Sequence, residues 1–480
     1  MKIVHVASEF SPWVRVGHLA DAVGGLCAEL AREGHEVAVF LPGYRQVLAD
    51  PRAANAELLY EHALELGDGH VSAQTLRLPI AKNLTLYLIR RDESFDRTFP
   101  YGPPGGEYED SDSRFLIFCK AVADALCRFD QPVDIVHCHD WPTALLPLLL
   151  RVEERKRSVS AAARTVFTVH HPAFQGIYPR RTFALTNLPE EFFAPDSLEF
   201  FGQVNFLKGG LVYAEVLLAP SPSAARQIPA PGYAFGLEGV LARRSGDLRG
   251  LLTGLDDVEW NPAMDQFLPV NFRAGAPKGK ARCREALRQG LGLFPTTRDG
   301  ALIAAPLPLM ASLGLGDPRE LLPDLRDDTV LVLLGRAAPG EQEPWRTLAG
   351  ARQGRVILLE NYEPGALHRA LGGADFYLGT SRIEPSPFRA QRALRYGAIP
   401  VMPRTGGPQD VIVDADENPD AGTGLLFEPT LEGWREGLRR AQDLHDNVER
   451  SVAVRERALA VDSSWKKLAP AYAQLYKESA

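Results

Sequence analysis

Cysteine is scarce and scattered: Cys27, Cys119, Cys127, Cys138 and Cys283 are odd in number and contain no CxxC pair. That spacing excludes a disulfide framework and a zinc ribbon, and fits reduced thiols. Positive charge is also short, with 53 Lys and Arg against 61 Asp and Glu, a net −8. The balance argues against nucleic acid or an anionic membrane as the main partner. A long hydrophobic run is missing too. The longest apolar stretch, Ala301 to Leu315, is broken by Pro306 and Pro308 and is too short to span a bilayer. The opening residues reach Glu9 before a signal-peptide core could form. The expectation is a soluble, cytoplasmic protein. What remains is ordinary globular composition, 45% hydrophobic and 24% charged over 480 residues, enough for two or three domains.

The apolar runs alternate with helical spacing. Ile3 to Ala7 reads as a strand, then Leu19, Ala22, Val23, Leu26 and Leu30 recur as a helix that Gly34 stops. Further strands are expected at Glu36–Leu41, Leu84–Ile89, Val133–Val136, Thr165–Val169 and Val216–Ala219. After a turn-rich junction near Gly254–Pro262 a second series follows: Ala301–Ala305, Thr329–Leu334, Val356–Leu359, Asp375–Leu378 and Ala398–Val401. Continuous apolar strands separated by helices predict parallel sheets covered on both faces. Two doubly wound halves would place a ligand at the carboxyl ends of their strands, in a cleft between them. The tail from Val448 to Tyr476 is helical in pattern, with Trp465, Leu468, Tyr472 and Tyr476 on one face, and is expected to dock on a domain.

Four clusters fall at strand ends. Arg15-Val16-Gly17-His18 lies between strand and helix, where a glycine lets amides approach an anion and Arg15 adds charge; an ordinary turn is the plainer reading. His137-Cys138-His139-Asp140-Trp141 puts polar groups where α/β ligand sites lie, although a helix cap and a packed Trp would explain much of it. No second cluster is spaced to complete a metal site with those histidines. His170-His171 follows another strand; adjacent side chains diverge, so at most one is expected to face a ligand. Ser381-Arg382-Ile383-Glu384-Pro385, with Arg404-Thr405-Gly406-Gly407 beyond it, offers a carboxylate and a glycine turn suited to sugar hydroxyls or phosphate.

Taken together, and with Leu41-Pro42-Gly43-Tyr44, Phe206-Leu207-Lys208, Phe235-Gly236-Leu237-Glu238-Gly239 and Trp260-Asn261-Pro262, these motifs resemble the bacterial glycogen synthase and plant starch synthase family nearly end to end. The resemblance implies a GT-B fold, with two Rossmann-like domains over residues 1–255 and 256–457 and a C-terminal helix, 458–480, returning to the first. It implies retaining transfer of glucose from ADP-glucose to the non-reducing end of an α-1,4-glucan, with no metal and no cofactor. It assigns catalytic roles to His170, Glu384 and Asp140. Arg15, Gly17, Asp21, His139, Tyr362, Arg382, Thr405, Gly406 and Gly407 become substrate-binding residues, Arg15 standing where the family has lysine and Tyr362 where an aromatic stacks on adenine.

The chain departs from the family on the donor side. Ala305 to Leu313 stands where the family has Ser-Arg-Leu-Thr and Gln-Lys-Gly, and contains neither cation. Glu-Pro-Cys-Gly-Leu is here Glu384-Pro385-Ser386-Pro387-Phe388, and the second glycine of Lys-x-Gly-Gly-Leu is His18. Two readings follow: a glycogen-synthase-type glucosyltransferase, or a catalytically impaired relative that binds glucan or regulates a partner.

Overall fold

The computed structural model describes residues 1–103, 106–157, 163–293, 300–307, 314–335, 342–352, 354–360 and 363–479. The chain divides into two compact units, Met1–Gly254 with Trp465–Ala480, and Leu255–Ser464. Residues 458–464, which the sequence pattern attached to the terminal helix, complete the second unit.

The first unit carries β1 (Lys2–Val6), β2 (Glu36–Pro42), β3 (Glu57–Leu66), β4 (Gly69–Ala81), β5 (Leu84–Arg90), β6 (Ile135–His139) and β7 (Arg164–Thr168). Three short strands, β8 (Ile177–Pro179), β9 (Glu199–Phe200) and β10 (Gln203–Asn205), form a small sheet of their own. With β11 (Val216–Ala219) and β12 (Leu248–Gly250) the main sheet runs β12-β11-β7-β6-β1-β2-β5-β4-β3. It is parallel from β12 to β5, as the continuous apolar runs predict. The edge differs: β3 and β4 pair antiparallel and have no counterpart among the sequence expectations. Their faces alternate between solvent and protein, so their residues form no continuous apolar run. From β1 the chain winds first toward β2 and β5, then back through β6, β7, β11 and β12. The winding reverses between β1 and β6, and ligands gather at the carboxyl ends beside such a reversal.

The expected helix from Val448 to Tyr476 is two helices, Val448–Leu459 and Trp465–Ser479. The break has a cause: the Leu255 amide donates to the Ser463 carbonyl at 2.8 Å, which draws that stretch into extended pairing. Trp465, Tyr472 and Tyr476 are buried in the first unit, Trp465 against Gly25 and Gly254. The Tyr472 hydroxyl donates to the Leu251 carbonyl at 3.3 Å.

The second unit holds β13 (Leu302–Pro306), β14 (Val330–Leu334), β15 (Val356–Leu359), β16 (Phe376–Leu378), β17 (Ile399–Pro403) and β18 (Leu425–Phe427), all parallel in the order β15-β14-β13-β16-β17-β18. Ile303 and Ala305 pack into one core layer, Leu302 and Ala304 into the other, so both faces are covered. Here the winding reverses between β13 and β16. Among the described residues no helix is long and apolar enough to cross a membrane.

Candidate functional site

In the first unit the loop after β1 is organised by a carboxylate that the sequence motifs did not single out. Glu9 is buried and its Oε2 accepts from the amides of Val16 and Gly17, both at 2.7 Å, while Tyr101 donates its hydroxyl to Oε1 at 2.8 Å. Burial raises the Glu9 pKa, and the three hydrogen bonds oppose the rise. The amides expected to meet an anion at Gly17 therefore already hold one supplied by the protein. Gly17 itself is exposed, and a Cβ there would meet nothing closer than Glu9 Oε1 at 4.0 Å. Arg15 reaches Asp21 Oδ1 at 2.7 Å and Ser11 Oγ at 2.6 Å. Asp21 is buried beneath that ion pair, so its structural partner is Arg15.

Asp140 follows β6 with φ 56° and ψ 179°, a backbone setting that costs a non-glycine residue of order 1–3 kcal/mol. The carboxylate turns toward the end of β7, where its Oδ1 accepts the His170 amide at 2.7 Å. Burial pushes the Asp140 pKa from 3.8 to about 7, against the amides of His170 and His171. His171 is half-buried; its Nδ1 accepts the Ala173 amide at 3.2 Å, a local turn contact.

Beside Asp140 the histidines form one buried group. Alternate residues of a strand share a face, which puts His137 with His139. The β1–β6 register sets His5 opposite His137, and the β6–β7 register sets Thr168 opposite His139. His5 Nδ1 lies 3.1 Å from His139 Nε2, and His139 Nδ1 lies 3.2 Å from His170 Nε2. His137 is tied separately, to Thr168 Oγ1 at 2.6 Å and to the Tyr476 hydroxyl at 2.7 Å. The sequence spacing gave His137 and His139 no further ligand; the structure brings His5 to them, with nitrogens within 4.8 Å of one another. Both nitrogens of His137 and both of His139 are engaged in the hydrogen bonds just described, so a metal would have to break them. Burial holds all four rings neutral, His5 and His170 at about 3 and His137 and His139 well below 6.5. His139 is buried, its Nε2 facing His5 and its Nδ1 facing His170.

The second unit brings Glu384 to the glycine turn. Gly407 donates its amide to the Glu384 carbonyl at 3.0 Å. Gly406 has φ +47°, and a Cβ on either glycine would overlap the backbone of residues 384–387. Close backbone approach thus accounts for the Gly-Gly pair, and Thr405 is buried beside it. Glu384 Oε2 accepts from Arg389 Nη1 at 3.1 Å; burial raises the Glu384 pKa and Arg389 opposes it. Arg389, at the second position of the helix Phe388–Arg395, was absent from the sequence candidates. Arg382 is half-buried in the same segment, and Arg404 pairs with Glu417 at 2.5 Å. Tyr362 and most of the cation-poor stretch, 308–313, lie outside the described residues.

Comparison with known proteins decides the family. Residues 2–243 match the starch synthase catalytic domain model. The chain is 40% identical to a glycogen synthase of Opitutus terrae, with 100% of both chains covered. It belongs to the glycogen and starch synthase family. A glycogen synthase 2 of Geobacter sulfurreducens is 35% identical over 100% of this chain and 99% of its own. The catalytic domain of starch synthase IV from Arabidopsis thaliana, solved with ADP and acarbose, matches with TM-score 0.85 and 26% identity, covering 100% of this chain and 99% of that one. The fold is GT-B, and the chain is a glucosyltransferase of the glycogen and starch synthase type; its family uses nucleotide-sugar donors and glucan acceptors.

Proposed function

We propose that the donor is ADP-glucose and that the protein extends an α-1,4-glucan at its non-reducing end with retention of configuration. The observation that carries this reading is the joining of Asp140 to the His170 amide at the winding reversal of the first unit, on a chain whose starch synthase relative was solved with ADP. In the transfer the bond from the glucose anomeric carbon to the diphosphate breaks. A glucan hydroxyl bonds to the same face, its proton passing to a leaving diphosphate oxygen. No protein nucleophile is needed, so catalysis rests on positioning and charge stabilisation. His170 contacts the transferring glucose, Asp140 holds His170 in place and Glu384 orients the sugar or its leaving side. Arg15, Arg382 and the turn Thr405-Gly406-Gly407 serve the phosphates, and Tyr362 the adenine. Residues 1–255 carry the acceptor side and 256–457 the nucleotide side. We place the work in the cytoplasm.

The test is incorporation of labelled glucose into glycogen from ADP-glucose and from UDP-glucose, with calorimetric titration of each donor and of ADP. Transfer from ADP-glucose supports the proposal, and preference for UDP-glucose refutes its donor. One observation favours a second reading: the stretch Ala305 to Leu313 holds no cation for a diphosphate. Glucan binding without nucleotide binding would mark a non-catalytic relative.

A further inference from the structure

His5, His139 and His170 make a chain of three rings with two internal hydrogen bonds and two open ends. The open ends are His5 Nε2 and His170 Nδ1, both buried and without a hydrogen-bond partner among the described residues. Each neutral ring carries one N–H, and a hydrogen bond between two rings needs one N–H and one lone pair. These counts leave two arrangements. If His139 donates from Nε2 to His5, it must accept from His170 Nε2–H. His170 Nδ1 is then a bare lone pair, and His5 carries its proton on Nε2. If His139 donates from Nδ1 to His170, it accepts from His5 Nδ1–H, and His170 carries its proton on Nδ1.

The sealed end chooses between them. His5 lies at 0% exposure inside the parallel sheet, so whatever occupies its Nε2 stays unpaired. Buried N–H groups without an acceptor are rarer in native proteins than acceptors left unused. The second arrangement leaves the lone pair at His5 and puts the N–H at His170, where a sugar oxygen accepts it on the reading that His170 contacts the transferring glucose.

We propose that His5 and His139 are positioning residues that lock His170 in its Nδ1–H form, so that it presents a hydrogen-bond donor to a sugar oxygen. The proposal rests on the reading that His170 contacts the transferring glucose. Neutrality of all three rings is what the count requires, and burial provides it. Tyr476 and Thr168 occupy both nitrogens of His137, so that ring packs against the chain without entering it.

The experiment is long-range proton–nitrogen correlation on protein labelled with 15N-histidine, the His170 signals being identified by their loss in His170→Gln. The expected result is the Nδ1–H tautomer at His170 in the unsubstituted protein; the Nε2–H tautomer overturns the proposal, and this holds even if no His5 variant folds. In His5→Phe the chain loses the donor that sets its direction. The His170 signals should move toward a mixture, and kcat for glucosyl transfer should fall on the order of tenfold with KM unchanged. His5→Asn places an amide near the lost Nδ1 and should restore both. An unchanged tautomer and unchanged kcat in His5→Phe would refute the lock. Absence of transfer in the unsubstituted protein would count against the function assigned above and not against the tautomer, which the spectrum reads without substrate.

Discussion

The carboxylate of Asp140 accepts the backbone amide of His170 at 2.7 Å, joining the ends of two neighbouring parallel strands. Burial pushes Asp140 to about 7 from 3.8. The folded protein therefore holds a proton there that the unfolded chain has already released between about pH 4 and about pH 7. The contribution of this group to stability falls as pH rises through that window and is level above it. The ionised carboxylate is the stronger acceptor for the two histidine amides, so kcat/KM should rise as pH passes about 7. Asp140→Asn should abolish that limb and lower kcat/KM at pH 8. A pH–rate profile identical to that of the unsubstituted protein would remove Asp140 from the titration.

The glycine turn of the second unit makes a stability prediction. Gly407 lies where a Cβ would overlap Pro387 N and Ser386 C, both backbone atoms that side-chain rotation cannot clear. Gly407→Ala should cost roughly 1–3 kcal/mol in denaturant unfolding, and Gly406→Ala about 1 kcal/mol or more because of its positive φ. Midpoints within error of the unsubstituted protein would show that residues 384–387 move aside without cost.

The C-terminal helix should be a structural part of the first unit. Trp465→Ala removes a buried indole packed on Gly25 and Gly254, at a cost of about 3–5 kcal/mol. Tyr476→Phe deletes one hydroxyl and leaves His137 Nδ1 buried without its partner, for about 1–3 kcal/mol. Hydrogen exchange should quicken over 465–479 in the first variant. Unchanged exchange there would refute the docking.

Much of this architecture was legible in the sequence because parallel strands buried on both faces must be apolar throughout: Ile3 to Ala7, Thr329 to Leu334 and Val356 to Leu359 announce themselves. The β3–β4 hairpin did not, since one face meets solvent and half its residues are polar. Asp140, His170 and Glu384 stood out as polar residues at the ends of apolar runs. His5 did not, being inside such a run; its meaning depends on the register with His137, which no local pattern encodes. Glu9 was hidden similarly, because its partners Val16 and Gly17 are reached only once the loop closes. Arg389 sat in the helix Phe388–Arg395 with two further arginines and no carboxylate, where no local pattern set it apart.

The final prediction concerns donor affinity. Relatives that keep an arginine and a lysine after β13 have two cations for the diphosphate, and this chain has Ala305 to Leu313 instead. Arg15, Arg382 and Arg404 are the cations the sequence offers as substitutes, and two of them are otherwise committed: Arg15 pairs with Asp21 and Arg404 with Glu417. Two missing charge-assisted bonds at roughly 1.5–3 kcal/mol each weaken binding by about two to four orders of magnitude. ADP-glucose and ADP should accordingly bind this protein far more weakly than such relatives in calorimetry. Leu307→Arg combined with Ser312→Lys should recover affinity for ADP, and more at low ionic strength than at high, because added charge acts through a screened field. Low-micromolar binding of ADP-glucose by the unsubstituted protein, with brisk glycogen extension, would show that other groups carry the diphosphate. Arg389, held against Glu384 at 3.1 Å, is then the first to replace, and Arg389→Gln should weaken ADP at least tenfold if it does.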